Sequence, residues 1–589
     1  MKKILFLGAI FLFGNILYAQ TQGWLTWYEL SGYLETPRYD KTIEYCKQLD
    51  NFSPLIQYTS FGKSPQGRDL PLLIIDKNQN FTSESVRASG NAVLLIEACI
   101  HSGESEGKDA GLMLIRDIVI HNKYPELLDH VTILFIPIFN VDGHERFSPY
   151  NRINQNGPKE MGWRTTAQNL NLNRDFIKAD APEMQQWLTL FNRWLPDFFI
   201  DVHTTDGADY QYTITYGMNT YGNMNEQHTN WQKKYLTEIE KMLKTDNVLI
   251  FPYVSFRQWH NPRSGLVHGI ASPRYSTGYS AVQNRTGLLI ETHMLKDYRT
   301  RVEATYHMIR HSLEIMNRDY ENLIKINANA DNIVATKDFR EKELIVSYET
   351  SSDSSIVKFK GIDYDVIKSD LTGDDWFIYG KSKKDFDIVS FEKQQATDFV
   401  KLPDAYIIPV EWTEIIKRLA LHGISYKTIE KPIKIEVELT RFTNVSFARS
   451  SFEGRQMVQD ISVQTTMSKK EFPTGSVIVE MNQRTALIIA HLLEPIAPDS
   501  YLRWGFFNPI FERKEYVETY VMEKMAREMI AENPELKVEY DKAVTENPQI
   551  YNNQYAKLFW FFARTPYWDQ QLNLYPIGKI YDLNQIRGL

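Results

Sequence analysis

Five short apolar runs constrain what the first half of this 589-residue chain can become: residues 70–75, 92–100, 131–138, 197–203 and 287–291. They read as buried strands. Helical periodicities alternate with them. One begins near Ser105 and carries Leu112, Ile115 and Val119 on a single face. A second carries Met184, Trp187, Leu188, Phe191 and Leu195, with Asp180 and Glu183 placed as a capping box. A third aligns Tyr306, Ile309, Leu313 and Met316. Such alternation predicts, for residues 23–327, an α/β domain with a mixed or parallel sheet covered on both sides.

The character changes beyond Ala328. Residues 330–400 are polar, with short alternating runs such as Ile356-Val357-Lys358-Phe359-Lys360. Residues 402–423 predict a strand and a helix capped by Gly423, and Ile433, Ile435, Val437 and Leu439 alternate as a half-exposed strand. A helix is expected over residues 513–532, stopped by Asn533-Pro534, with an aromatic-rich helix at 551–564 packed on it. Residues 328–589 therefore read as a C-terminal α+β accessory region that carries no chemistry of its own, a packing or substrate-binding appendage that could narrow access to the site.

Chemistry concentrates at the ends of three of the apolar runs. His101 and Glu104 form a His-x-x-Glu pair, so an imidazole and a carboxylate on one turn can converge on a single ion. His203 ends the fourth run and Glu291 the fifth. In open α/β sheets functional residues gather at carboxyl strand ends. Zinc accepts mixed nitrogen and oxygen donors, and a catalytic site takes three protein ligands. His101, Glu104 and His203 supply three, leaving Glu291 as a separate carboxylate to take a proton from water. Singly, each has a bland reading: a strand-end histidine is commonly a hydrogen-bonded structural residue, and a lone glutamate a solvated terminus. Their order and their shared elements favour one site.

Further segments around these four resemble the carboxypeptidase A-like zinc metallocarboxypeptidases over roughly residues 39–316. They are Ser60-Phe61-Gly62-Lys63-Ser64-Pro65-Gln66-Gly67-Arg68, Asn140-Val141-Asp142-Gly143, Asn171-Leu172-Asn173-Arg174-Asp175-Phe176, Ile200-Asp201-Val202-His203 and Ile290-Glu291-Thr292. The resemblance implies an α/β/α sandwich with a mostly parallel sheet, one zinc ion per chain, and release of C-terminal residues from peptides. It implies that Asn173 and Arg174 grip the substrate carboxylate, a role suited to a planar guanidinium. It assigns polarisation of the scissile carbonyl to Arg164, with Arg152 as a rival. It also implies a tyrosine that covers bound substrate, for which Tyr279 and Tyr275 are the candidates. Two departures stand out. Gly103 lies where digestive members often carry arginine, and Asn171 replaces the aspartate that orients the first zinc histidine, with Asp201 placed to compensate. Within the same superfamily, hydrolysis of peptidoglycan stem peptides is the nearest alternative. A peptide-binding protein without catalysis is the alternative from another class.

The remaining composition sets limits. Lys2 and Lys3 precede an apolar stretch ending at Tyr18, and Ala19 before Gln20 offers a cleavage point, so residues 1–19 read as a secretory signal. Periplasmic or secreted location follows, with no later segment long enough to span a bilayer. A net charge of −8 gives no basic footprint for nucleic acid. Two cysteines, Cys46 and Cys99, cannot form a disulfide scaffold, so stability rests on core burial.

Overall fold

The computed structural model describes residues 23–222 and 224–587; the expected signal, residues 1–19, lies outside them. The central sheet has eight strands: β1 (Ile56–Lys63), β2 (Asp69–Ile75), β3 (Ala92–Ala98), β4 (Val131–Ile136), β5 (Phe198–Thr205), β6 (Ile214–Gly217), β7 (Ile250–Pro252) and β9 (Thr286–His293). Their order is β1-β2-β4-β3-β5-β9-β6-β7. The middle of the sheet, β4-β3-β5-β9, is parallel throughout. Antiparallel pairs flank it, β1 with β2 and β2 with β4 on one side, β6 with β9 on the other. The five runs read from sequence are all strands of this sheet; β1, β6 and β7 gave no apolar signal.

Alternation along these strands splits the core into two layers. Leu73, Leu94, Phe135 and Ile200 face one side, and Leu72, Leu95, Leu134 and Phe199 the other. Helices α1 (Glu106–Val119), α2 (Pro182–Trp194), α3 (Glu226–Thr245) and α4 (Tyr298–Val334) cover both. α1, α3 and α4 pack on the first side, α2 on the second. The fold is the expected α/β/α sandwich.

α2 begins differently from expectation. Its N-cap is Ala181 with Pro182 next, and no side chain caps it. Proline lacks the N–H that a cap would satisfy and presets the helical φ, so the capping box is not needed. Asp180 instead accepts from Arg455 through both carboxylate oxygens (2.7 Å each) and from Arg418 (3.0 Å).

The C-terminal half is joined to the first rather than appended. α4 runs unbroken through residues 327 and 328, where the change of character was expected, to Val334. β8 (Leu266–Val267) pairs with the long hairpin β11 (Ser355–Lys368) and β12 (Asp375–Phe391), while β10 (Leu344–Thr350) pairs with β13 (Gln394–Val400). A six-stranded sheet includes β14 (Ala405–Ile408), β16 (Ile433–Phe447) and β17 (Val458–Phe472). α5 (Thr413–Leu421) and α6 (Ala486–Leu493), apolar except for the buried His491, then fill the same core layer as α2. The last expected helices are α7 (Thr519–Glu532) and α9 (Gln554–Phe562), which pack together around Met522, Leu558 and Phe561. Asn533-Pro534 ends α7 as predicted, but the chain at once starts α8 (Glu535–Glu546), since Pro534 suits a helix N-terminus. No described helix is long and apolar enough to cross a membrane.

Candidate active site

β3 ends at Ala98, and Cys99 turns the chain in a left-handed conformation (φ 59°). In the tight turn that follows, Glu104 N donates to His101 O (2.9 Å) and the two side chains face each other. β5 and β9 are adjacent and parallel, with His203 and Glu291 in register. Residues at one register share a sheet face, so the two side chains lie next to each other. Thr204 N donates to Glu104 Oε2 (3.0 Å), tying the turn to β5.

The ligand atoms converge. His101 Nδ1 lies 3.2 Å from Glu104 Oε1, and His203 Nδ1 lies 3.0 Å from Glu104 Oε2. The opposite nitrogens are already used: His101 Nε2–H donates to Asn171 Oδ1 (3.0 Å) and His203 Nε2–H to Asp201 Oδ2 (2.8 Å). With those tautomers, both Nδ1 lone pairs face carboxylate oxygens, acceptor against acceptor. Positive charge makes that arrangement favourable, whether a metal ion between the groups or a proton on Nδ1. His101 Nδ1 is buried without a hydrogen bond. Zinc bonds of about 2.0–2.2 Å in a tetrahedron separate ligand atoms by about 3.3–3.6 Å, a little wider than the 3.0 and 3.2 Å found here. The donor set fits zinc, and Asn171 and Asp201 fix both rings from behind.

Electrostatics agree with a place for positive charge. Burial alone would lower the His203 pKa, but Asp201 and Glu104 outweigh it and hold the ring well above its usual value. Burial would raise Glu104, yet His101 and Arg152 keep it well below the ordinary carboxylate range. Burial pushes Glu291 up to about 8, against the attraction of His203 and with help from Glu104 and Asp201. A bound cation opposes that rise and favours the ionised carboxylate.

His101, Glu104, His203 and Glu291 line a cavity of about 770 Å³ together with Arg152, Arg164, Asn173, Arg174 and Tyr275. Arg174 stacks on the Tyr275 ring (4.7 Å) and donates to Asn173 O (2.7 Å). Arg164 and Arg152 both approach Glu104 Oε1, at 3.5 and 2.8 Å. Gly103 makes room for the second: a Cβ there would lie 2.8 Å from Arg152 Cγ. Tyr279, one of the two covering candidates, is not in the cavity. It is fully buried between Phe176, Trp187 and Phe191, its hydroxyl accepting from Gln283 and facing His422. The turn before it places Tyr275 at the cavity and rotates Tyr279 into the core. Arg274, the residue before Tyr275, is held away from the cavity by Asp499 (2.5 Å).

The Asn-Val-Asp-Gly turn holds the site's loops together. Asp142 accepts from Ser64 Oγ, Gln66 N and Arg68 Nη1 at 2.7–3.0 Å. Asn140 Nδ2 donates to Arg164 O (3.2 Å), and a Cβ on Gly143 would lie 2.4 Å from Thr165 O. Among the cavity residues that gave no signal in the sequence are Tyr253, and Glu392 and Gln394 from the C-terminal half. Tyr253 sits so near Glu291 that this carboxylate, before burial, raises its pKa. Nothing local marks them, because the cavity is closed by segments remote in sequence.

Residues 42–267 match the Peptidase_M14 family, described as zinc carboxypeptidase. Carboxypeptidase 2 of Trichophyton equinum is 22% identical over 498 residues, 80% of this chain and 84% of its own length. Carboxypeptidase 2 of Trichophyton rubrum is 21% identical over 512 residues, 81% and 87% of the two chains. Coverage of that extent reaches into the C-terminal half. Among solved structures, carboxypeptidase A from Helicoverpa armigera aligns at a TM-score of 0.37 and 16% identity, covering 48% of this chain and 74% of its own.

Proposed function

We propose that this chain, a metallocarboxypeptidase of the zinc carboxypeptidase family, is exported and removes C-terminal residues from peptides by general-base catalysis. His101, Glu104 and His203 hold one zinc ion, and Glu291 is the base. The observation that carries the reading is the meeting of two acceptor-facing histidines, one carboxylate and a separate buried glutamate in a cavity that also holds Arg174. The apolar N-terminal stretch of residues 1–19 motivates export.

A peptide's terminal carboxylate is gripped by the Arg174 guanidinium, with Asn173 beside it. Stacking on Tyr275 limits the swing of Arg174, so less freedom is lost on binding. When bound, zinc supplies Lewis acidity, which makes water more acidic and a carbonyl more electrophilic. Glu291 takes a proton from water as its oxygen bonds to the scissile carbonyl carbon. The same carboxyl then gives that proton to the amine nitrogen as the C–N bond breaks. Arg164 donates to the carbonyl oxygen as negative charge develops on it.

Glu291→Gln tests the core of this. Zinc content by metal analysis and peptide binding should persist while turnover falls by roughly 10²–10⁴-fold. Unchanged turnover removes Glu291 from the mechanism. Mass spectrometry of a mixed peptide pool, with peptidoglycan stem peptides included, should show loss of single C-terminal residues from ordinary peptides. Internal cleavage, or attack on stem peptides alone, overturns the substrate assignment.

A further inference from the structure

Among the described residues, a second group of potential metal ligands lies away from the catalytic cavity: Asp246, His307 and His311, whose ligand atoms all fall within 4.8 Å of one another. His307 and His311 occupy successive turns of α4, four residues apart on one face. That spacing lets two imidazoles chelate one ion from a single helix. Asp246 is the C-cap of α3, where the carbonyl end of the helix favours positive charge.

The hydrogen bonding around these three side chains leaves a gap that a cation fills. His311 Nδ1–H donates to Glu314 Oε2 (2.7 Å), and in the neutral ring the Nε2 lone pair then accepts from Arg310 Nη2. That Nε2 lies 2.6 Å from Asp246 Oδ2, itself an acceptor. His307 Nδ1 lies 3.1 Å from the same oxygen and is buried without a hydrogen bond. Arg310 Nη2 occupies the gap, 3.0 Å from Asp246 Oδ2 and 2.9 Å from His311 Nε2. The guanidinium supplies positive charge to His311 Nε2 and Asp246 Oδ2, and His307 Nδ1 faces the same carboxylate oxygen. Glu314 behind His311 is the carboxylate–histidine support that metal-ligating imidazoles commonly have.

We propose that Asp246, His307 and His311 form a second metal site that takes a divalent transition ion in exchange for the Arg310 side chain, joining the end of α3 to the middle of α4. A donor set of two imidazoles and one carboxylate selects zinc, nickel or copper over calcium or magnesium. The partly exposed His307, with 30% of its side chain accessible, gives the ion a route in and leaves a position for water. This ion is additional to the catalytic zinc, and none of its ligands lines the catalytic cavity.

The test uses the full chain, stripped by chelator and re-equilibrated with Zn²⁺. Wild type should bind two zinc ions, one more weakly than the other. His307→Ala and His311→Ala should each bind one, with peptide hydrolysis unchanged. Arg310→Ala should bind the second ion more tightly than wild type, because its competitor is gone. His101→Ala should lose hydrolysis and the other ion while keeping this one. Zinc should raise Tm further in wild type than in His311→Ala, since an ion bound only to the folded state stabilises it. A single ion in both wild type and Arg310→Ala overturns the proposal. So does a second ion that survives both histidine substitutions.

Discussion

Arg152 and Arg164 reach the same oxygen of Glu104 from unequal positions. Arg152 is the closer at 2.8 Å, and 17% of its side chain is accessible; Arg164 stands at 3.5 Å with 42% accessible. A guanidinium committed to a buried carboxylate offers little to a substrate, whereas a half-exposed one at the cavity wall can turn to it. Arg164→Ala should therefore lower kcat by roughly 100-fold or more, about 3 kcal/mol, with zinc content intact. Arg152→Ala should act on stability, lowering that of the zinc-free protein by roughly 2 kcal/mol as a buried carboxylate loses its donor. Steady-state kinetics and urea unfolding of the two variants separate the roles. Equal kinetic loss from both, with no change in unfolding, contradicts this division.

At the scale of elements, α2 carries an ionisable group in a costly place. Glu183 in its first turn is fully buried, with neither carboxylate oxygen hydrogen-bonded. Burial, aided by Asp142 and Asp175, pushes its pKa up to about 7 from an ordinary 4.5. The folded state thus holds the proton more tightly than the unfolded state. The associated stability is complete below pH 4.5 and is lost as pH rises through 7. Glu183→Gln removes this dependence. Relative to wild type, the variant should gain stability between pH 4.5 and 8, by on the order of 2–3 kcal/mol. Urea midpoints at the two pH values measure it; an unchanged difference sinks the attribution to Glu183.

The whole molecule is held by a core layer that both halves build. Trp187 and Phe191 of α2 share one apolar cluster with Leu419 of α5 and Leu487 and Ile488 of α6. Polar ties reinforce it: Arg455 and Arg418 grip Asp180, and Glu453 accepts from the backbone N–H of Asn171, the residue behind His101. The second half thus buttresses the His101–Glu104–His203 cluster and adds Glu392 and Gln394 to the cavity wall. A fragment ending at Val334 should expose the α2 face, bind hydrophobic dye and lack a cooperative thermal transition. A fragment that unfolds as sharply as the full chain refutes a shared core.

What could be read from sequence was whatever local spacing encodes. Apolar runs bounded by polar residues marked the five strands from β2 to β9, and His-x-x-Glu marked two groups that a single turn brings to one point. Segments with weak local pattern stayed invisible: β1, β6 and β7 draw their burial from neighbouring strands. The same holds for side chains whose surroundings come from distant chain. Only the folded molecule decided that Tyr279 enters the core while Tyr275 faces the cavity, that Arg152 crosses Gly103 to Glu104, and that residues beyond 328 share the core of the first half. Sequence specifies which groups a segment offers; packing between segments far apart along the chain decides which of them meet.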